Sequence, residues 1–184
     1  DDPRARAASI GTLGVLVGSQ GTVLPGGEGL TTPGPIELQR LLRALVDGGV
    51  RTVAMEVSSH ALHQQRVLGV RFDAAVFTNL TRDHLDEHGD LASYGEAKRR
   101  LFRLPGLRFA VVNADDPFAA SIAADLPAGC TLVRTSTRGA EAEITGRLVR
   151  ADLAGVELDI AGKYGAGQLR SPLIGSFNAE NLLG

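Results

Sequence analysis

Apolar residues at Leu38, Leu41, Leu42, Leu45 and Val46 recur at helical spacing and are followed by Gly48 and Gly49, which predicts a core-facing amphipathic helix over 36–46 with a glycine stop. Thr32 reads as its N-cap and Pro33 as its first helical residue, where a missing N–H costs nothing. Ahead of it, the apolar run 10–17 with interspersed glycines predicts one strand, then a Gly/Pro-rich loop through Gly29. Residues 1–9 read as a loose arm or a helix remnant. Behind the helix, 50–57 is short and mostly apolar, as expected of a strand covered on both faces. Further strands are expected at 72–77, 109–113 and 131–134, with helical segments between the later ones. Ser93 and Glu96 have capping-box spacing, so Lys98 falls in the second turn of a helix running to about Leu104. Pro117 starts the next helix in the same manner. Beyond Thr135 the segments 141–150, 153–160 and 169–174 alternate in polarity between Gly-rich turns, which predicts an antiparallel meander. The whole is an α/β fold: a mostly parallel, helix-flanked sheet with a small antiparallel β meander appended.

Composition narrows the functional classes. With 184 residues, 43% hydrophobic and 22% charged, the chain fits one globular domain with a single core. Nineteen basic residues against 21 acidic ones give a net charge of −2, so no global field draws the protein to nucleic acid or an anionic membrane. Cys130 is the only cysteine; no internal disulfide can form, and a cytoplasmic location is expected. No apolar run reaches the ~20 residues needed to span a bilayer. Both ends read as cut, with 177–184 resembling the first turns of a helix, so a piece of something longer is expected.

The candidate chemistry is concentrated between Glu56 and Lys98, a stretch that holds all four histidines. Glu56 sits near the C-terminal end of an apolar strand, and ligands of open α/β sheets collect outside such ends. A carboxylate buried there costs several kcal/mol unless paired or metal-bound; a capping carboxylate and a metal ligand are both open. Thr78 and Asn79 fall at a second strand end. Asp83, His84, Asp86 and His88 gather hard and borderline ligands in one short loop, which suits a divalent cation or, equally, a solvated polar loop. Lys98 reads as a surface lysine, or as a carbamate if a nearby metal disfavours its ammonium. Gly26 to Thr32 has the texture of a phosphate-binding loop, but Leu30 stands where that motif needs lysine. The helix start and the threonine hydroxyls still suit an anionic ligand.

Taken together, Thr31-Thr32-Pro33, Met55-Glu56-Val57-Ser58-Ser59-His60, Gln64 with Arg66, Thr78-Asn79 through Asp83-His84 and Asp86, Ala97-Lys98, Asn113 to Asp116, and Gly175-Ser176-Phe177-Asn178 resemble the central domain of the Mur ligases. The likeness runs in order from about residue 10 to the end. Within the family it points to the branch that adds a diamino acid to UDP-N-acetylmuramoyl-L-alanyl-D-glutamate. What the resemblance implies is an ATP-dependent amide ligase working through an acyl phosphate with Mg2+. Glu56 would bind one magnesium, and His84 with carbamylated Lys98 would serve a second. Thr31, Thr32, Ser58, Gln64 and Arg66 would hold the UDP-muramoyl dipeptide, while Asn79, Asp116, Asn178 and Asn181 would lie at the nucleotide.

The departures from the family are equally plain. The Gly-x-x-Gly-Lys-Thr phosphate loop is not in this sequence, and neither the uridine-binding N-terminal domain nor the C-terminal domain that selects the diamino acid is recognisable. An incomplete central domain, 1–184, inactive as a ligase by itself, is therefore expected. Two other readings stand beside it: a non-catalytic binding domain that keeps the sheet and substrate loops, and a metal-dependent hydrolase built on Asp83, His84, Asp86 and His88.

Overall fold

The computed structural model describes residues 6–27, 29–80 and 91–184; the Asp83–His88 cluster lies outside them. The chain divides into two compact units, Asp1–Val70 and Arg71–Gly184.

In the first unit, β1 (Ala7–Gly11), β2 (Gly14–Val17), β3 (Thr22–Leu24) and β4 (Thr52–Met55) form one sheet in the order β3-β2-β1-β4. The pairs β1/β2 and β2/β3 are antiparallel and β1/β4 is parallel. The expected single strand over 10–17 is thus a hairpin. Gly11 pairs with Gly14 across the two-residue turn Thr12-Leu13, and Gly14 takes φ 89°, a left-handed value open to glycine at no steric cost. The strand also starts earlier than expected. Ala7 to Ser9 belong to β1 and are not a loose arm, because their backbone is held by both β2 and β4.

Helix α1 spans Pro35–Asp47 and buries Leu38, Leu41 and Leu45, whereas Val46 is exposed. Its N-cap is Gly34, with Pro35 at the first position. The proline-start argument therefore holds one proline further on than expected, because the Thr32 hydroxyl is already engaged elsewhere. Leu38, Ile10 and Val15 are almost wholly buried in this unit. Strand β4 departs from expectation, since its residues alternate exposed and half-buried. It is the outer strand of its sheet among the described residues, and the alternation shows that it is not covered on both faces. A short helix, α2 (Ser59–His63), follows it under an N-cap from Ser58, whose hydroxyl oxygen accepts from the Ala61 N–H at 3.1 Å.

The second unit carries β5 (Ala74–Phe77), β6 (Phe109–Asn113), β7 (Thr131–Ser136), β8 (Ile144–Asp152), β9 (Gly155–Gly162) and β10 (Gly165–Ser171), in the order β10-β9-β8-β7-β6-β5. Strands β5 to β8 pair in parallel, and β8-β9-β10 is antiparallel. This is the mostly parallel sheet with an appended meander. Helices α3 (Leu91–Phe102), α4 (Ala119–Ala123) and α5 (Asn178–Leu183) complete the unit. The core joins Phe77, Phe102, Ala110, Val112 and Ile122, with a second cluster of Val156, Leu158 and Ala179. Ser93 does not cap α3, which already begins at Leu91. Glu96 instead pairs with Arg99 at 3.2 Å and with Arg103, so the serine–glutamate spacing reflects an ion-paired helix face. Among the described residues no helix is long and apolar enough to cross a membrane.

The turn after β9 leaves no room for a side chain. Gly162 has φ 150°, and a Cβ there would lie 2.1 Å from the Glu143 carbonyl oxygen, which itself accepts from the Lys163 N–H. Neither backbone can yield without breaking the ladder. Gly162→Ala is expected to lower stability by about 2 kcal/mol or more, read as a lower urea midpoint with the slope unchanged.

Candidate functional site

In the first unit the exit of β4 gathers most of the motif residues. Thr32 is fully buried. Its hydroxyl donates to the Glu56 carbonyl oxygen at 2.9 Å and accepts from the Ser58 N–H at 3.0 Å. The two bonds tie the loop ahead of α1 to the segment between β4 and α2, and they use both directions of the hydroxyl. Arg66 Nη1 donates to the Thr32 carbonyl oxygen at 2.9 Å, and its Nε donates to Gln64 Oε1 at 2.8 Å. Between those two residues Gln65 takes φ 55°, a left-handed value uncommon outside glycine; it turns the chain so that Gln64 and Arg66 meet. Arg66 Nη2 makes no bond among the described residues, and its paired N–H groups suit a carboxylate.

Glu56 is exposed, which corrects the expectation of a buried carboxylate. Burial cost is not what holds it in place. One oxygen, Oε2, accepts from the Thr12 hydroxyl at 2.9 Å and faces the Thr12 N–H at 3.4 Å. The other, Oε1, lies where a side chain on Gly11 would put its Cβ, at 2.5 Å. Thr12 Oγ1 also lies 3.2 Å from Thr31 Oγ1. Thr12 was not anticipated from the sequence, because nothing there shows that the β1–β2 turn reaches the end of β4; the parallel pairing of Ile10 with Met55 does. Among the described residues no three His, Cys, Asp or Glu side chains cluster as a metal cage. A single hard carboxylate with one oxygen held and the other toward a bare glycine nevertheless fits Mg2+, which is commonly bound through one or two carboxylates plus phosphates and water.

In the second unit a cavity of about 640 Å3 is lined by Asn79, Thr137, Arg138, Leu148, Phe177, Glu180 and Asn181, among others. Asn79 stands two residues beyond β5, and Asn181 lies on α5. Phe177 is 68% exposed; Gly175, at φ 104°, leaves room for its ring, which a Cβ would meet at 2.4 Å. Asn178 does not line the cavity. Its amide donates to the Ile174 carbonyl oxygen at 2.9 Å and closes the turn into α5. Asp116 is also spent on backbone, accepting from the N–H of Leu80 at 2.7 Å and of Phe118 at 2.8 Å. Buried Asn113 donates to the Thr78 carbonyl oxygen at 2.9 Å and to Glu180 Oε2 at 3.1 Å, and Glu180 pairs with Arg138. Asn113, Glu180 and Arg138 thus link the ends of β5, β6 and β7 to α5. Lys98 is half-buried on α3, its Nζ 4.8 Å from the centroid of the Tyr94 ring.

Asp115 fixes one wall of that cavity. It accepts from Ser136 Oγ at 2.7 Å, the Thr137 N–H at 2.7 Å and the Arg138 N–H at 3.1 Å. Partial burial alone would raise its pKa, but these hydrogen bonds outweigh it and hold the carboxyl below its ordinary value. A depressed folded pKa contributes stability above the unfolded value near 4 and loses it as pH falls through the folded one. Asp115→Asn is therefore expected to cost about 1 kcal/mol at pH 7 after solvent screening. The gap to the unsubstituted protein should close as pH drops below about 4, which denaturant titrations at several pH values will read.

A family model for the Mur ligase middle domain matches residues 4–184. The UDP-N-acetylmuramoyl-L-alanyl-D-glutamate–2,6-diaminopimelate ligase of Xanthomonas campestris pv. campestris (strain 8004) is 48% identical over 176 residues, covering 95% of this chain and 35% of that protein. The ligase of the same name from Xylella fastidiosa (strain 9a5c) is 46% identical over 179 residues, covering 97% and 35%. A solved structure of such a 2,6-diaminopimelate ligase superposes with a TM-score of 0.82 at 36% identity, over 96% of this chain and 36% of that one. MurF from Acinetobacter baumannii, at 20% identity and TM-score 0.63, shares the fold. The chain spans about a third of the length of these relatives.

Proposed function

The chain belongs to the Mur ligase family, matching its middle domain, and on that premise we propose that it is the central domain of a MurE-type ligase that joins 2,6-diaminopimelate to UDP-N-acetylmuramoyl-L-alanyl-D-glutamate with ATP. The observation that carries this reading is the hydrogen-bonded assembly at the end of β4, where Thr31, Thr32, Glu56, Ser58, Gln64 and Arg66 are drawn into one network around Thr32 and Thr12. It is supported by 48% and 46% identity to two diaminopimelate ligases. This reading implies a cytoplasmic location.

In the reaction, a carboxylate oxygen of the D-glutamyl residue attacks the γ-phosphorus of ATP, the bond to the bridging oxygen breaks, and ADP leaves. The amine of the diamino acid then attacks the acyl carbon, phosphate leaves with its electron pair, and the ammonium proton goes to solvent or base, giving the amide. The chain's residues bind and orient. The Arg66 guanidinium faces a carboxylate of the muramoyl dipeptide, and the Ser58 hydroxyl, whose oxygen already accepts from Ala61, keeps its proton for the ligand. Phe177 offers an aromatic face to the adenine, with Asn79 and Asn181 toward its polar edge. Glu56 would hold one magnesium, and His84 with Lys98 converted to its anionic carbamate a second. Magnesium, when bound, supplies charge neutralisation of the phosphate oxygens.

Two experiments on the full-length ligase test this reading. Phosphate release should require ATP, the muramoyl dipeptide and 2,6-diaminopimelate together. Release from the phosphorylated nucleotide with no amine acceptor, or metal-dependent hydrolysis with no ATP, would replace the ligase reading with a hydrolase. Lys98→Ala should lower kcat by about a hundredfold or more and be partly rescued by small carboxylates. Lys98→Arg should stay inactive, because it restores only the positive charge; a fully active Lys98→Arg enzyme would rule out a carbamate.

A further inference from the structure

We infer that Thr12 is a positioning residue that sets the hydrogen-bonding direction of Thr31, so that the Thr31 hydroxyl meets the ligand as an acceptor of an N–H or O–H group and not as a donor to an anionic oxygen. The inference rests on the reading of Thr31 as a residue of the muramoyl-dipeptide site.

A carboxylate accepts hydrogen bonds and does not donate them, and a threonine hydroxyl has one proton and two lone pairs. Thr12 Oγ1 lies 2.9 Å from Glu56 Oε2, so its proton is committed to the carboxylate. The 3.2 Å contact between Thr12 Oγ1 and Thr31 Oγ1 then has one possible polarity: Thr31 donates and Thr12 accepts. The order is Thr31 to Thr12 to Glu56. Thr31 keeps a lone pair and no proton for the ligand. Thr32 cannot substitute for it, since it is fully buried with its proton on the Glu56 carbonyl and its lone pair on the Ser58 N–H. The group that Thr31 recognises on a UDP-muramoyl peptide is accordingly an amide N–H or a hydroxyl. A carboxylate or phosphate oxygen in that place would put two acceptors face to face. The anionic groups of the ligand fall to Arg66, which donates only.

The test uses the full-length ligase, with KM and kcat measured for UDP-N-acetylmuramoyl-L-alanyl-D-glutamate, together with neutron diffraction of deuterium-exchanged crystals. Thr31→Val and Thr12→Val are each expected to raise KM about tenfold while kcat changes less than about threefold. The double variant should be no worse than Thr31→Val alone, because the two hydroxyls act as one relay. Thr12→Ser, which keeps the hydroxyl, should bring KM back to within about threefold of the unsubstituted enzyme. Neutron density should place the deuteron of Thr31 on the line to Thr12. An unchanged KM in Thr31→Val would remove the dipeptide-site reading itself. A raised KM in Thr31→Val with none in Thr12→Val, or additive effects in the double variant, would overturn the role of Thr12 while leaving that reading intact. Should Thr12→Val fail to fold, the Thr12→Ser kinetics and the neutron map decide; a deuteron running from Thr12 to Thr31 overturns the inference.

Discussion

The buried hydroxyl of Thr32 is the constraint on which the first unit's site depends. A hydroxyl without exposure must satisfy both its proton and its lone pair inside the protein or cost a few kcal/mol. Thr32 does so by donating to the Glu56 carbonyl and accepting from the Ser58 N–H, which fixes the chain on either side of Val57. Everything useful follows from that short span. The Glu56 side chain is delivered to Thr12, Ser58 is set as the cap of α2, and the turn after α2 returns Arg66 to the Thr32 carbonyl. A single small polar side chain thereby fixes the entry to α1 and the exit of β4, and the side chains around it inherit their rigidity from backbone bonds.

The second unit solves a similar problem with buried and half-buried polar side chains at the ends of parallel strands. Parallel strands finish with unpaired carbonyl and N–H groups that need partners. Asn113 takes the Thr78 carbonyl, Asp116 takes the Leu80 N–H, and Asp115 takes the N–H groups of Thr137 and Arg138. The same residues that satisfy the backbone shape the cavity that Asn79, Phe177 and Asn181 line. Roles are therefore divided: Asp115 and Asp116 hold the loops, and residues of the neighbouring loops line the cavity. Glu180 belongs to both groups, since it receives Asn113 and Arg138 and also lines the cavity.

How much of this was legible in the sequence varied with the range of the interaction. Strand β6 was read to the residue and α1 nearly so, and the first two strands of the meander to within three residues, because alternation and helical spacing are local signals; its last strand, expected at 169–174, runs Gly165–Ser171. The start of α1 was misplaced by two residues, because Thr32 and Pro33 make a plausible cap and only the long-range bonds to Glu56 and Ser58 remove Thr32 from that duty. The run 10–17 was read as one strand, since a two-residue turn at Thr12-Leu13 carries weaker local chemistry than an Asn-Gly pair. At the site, Glu56 was found from its place at a strand end and Ser58 by resemblance, whereas Thr12 was missed. The Asp83–His88 cluster lies outside the described residues.

The sequence by itself determined the fold class, the family and the residue types available for binding, because these rest on periodicity and on motifs held within a few positions. Tertiary structure decided which atoms those residues have left to offer. Thr32 and Asp116 carry ligand-like groups in the sequence, but contacts 24 and 36 residues away consume them. Glu56 was expected to be buried, and it is exposed just beyond the end of β4, held there by Thr12. The direction of each hydroxyl follows from which partner lies within hydrogen-bonding reach. That is fixed by strand register and chain crossing, which no local pattern encodes.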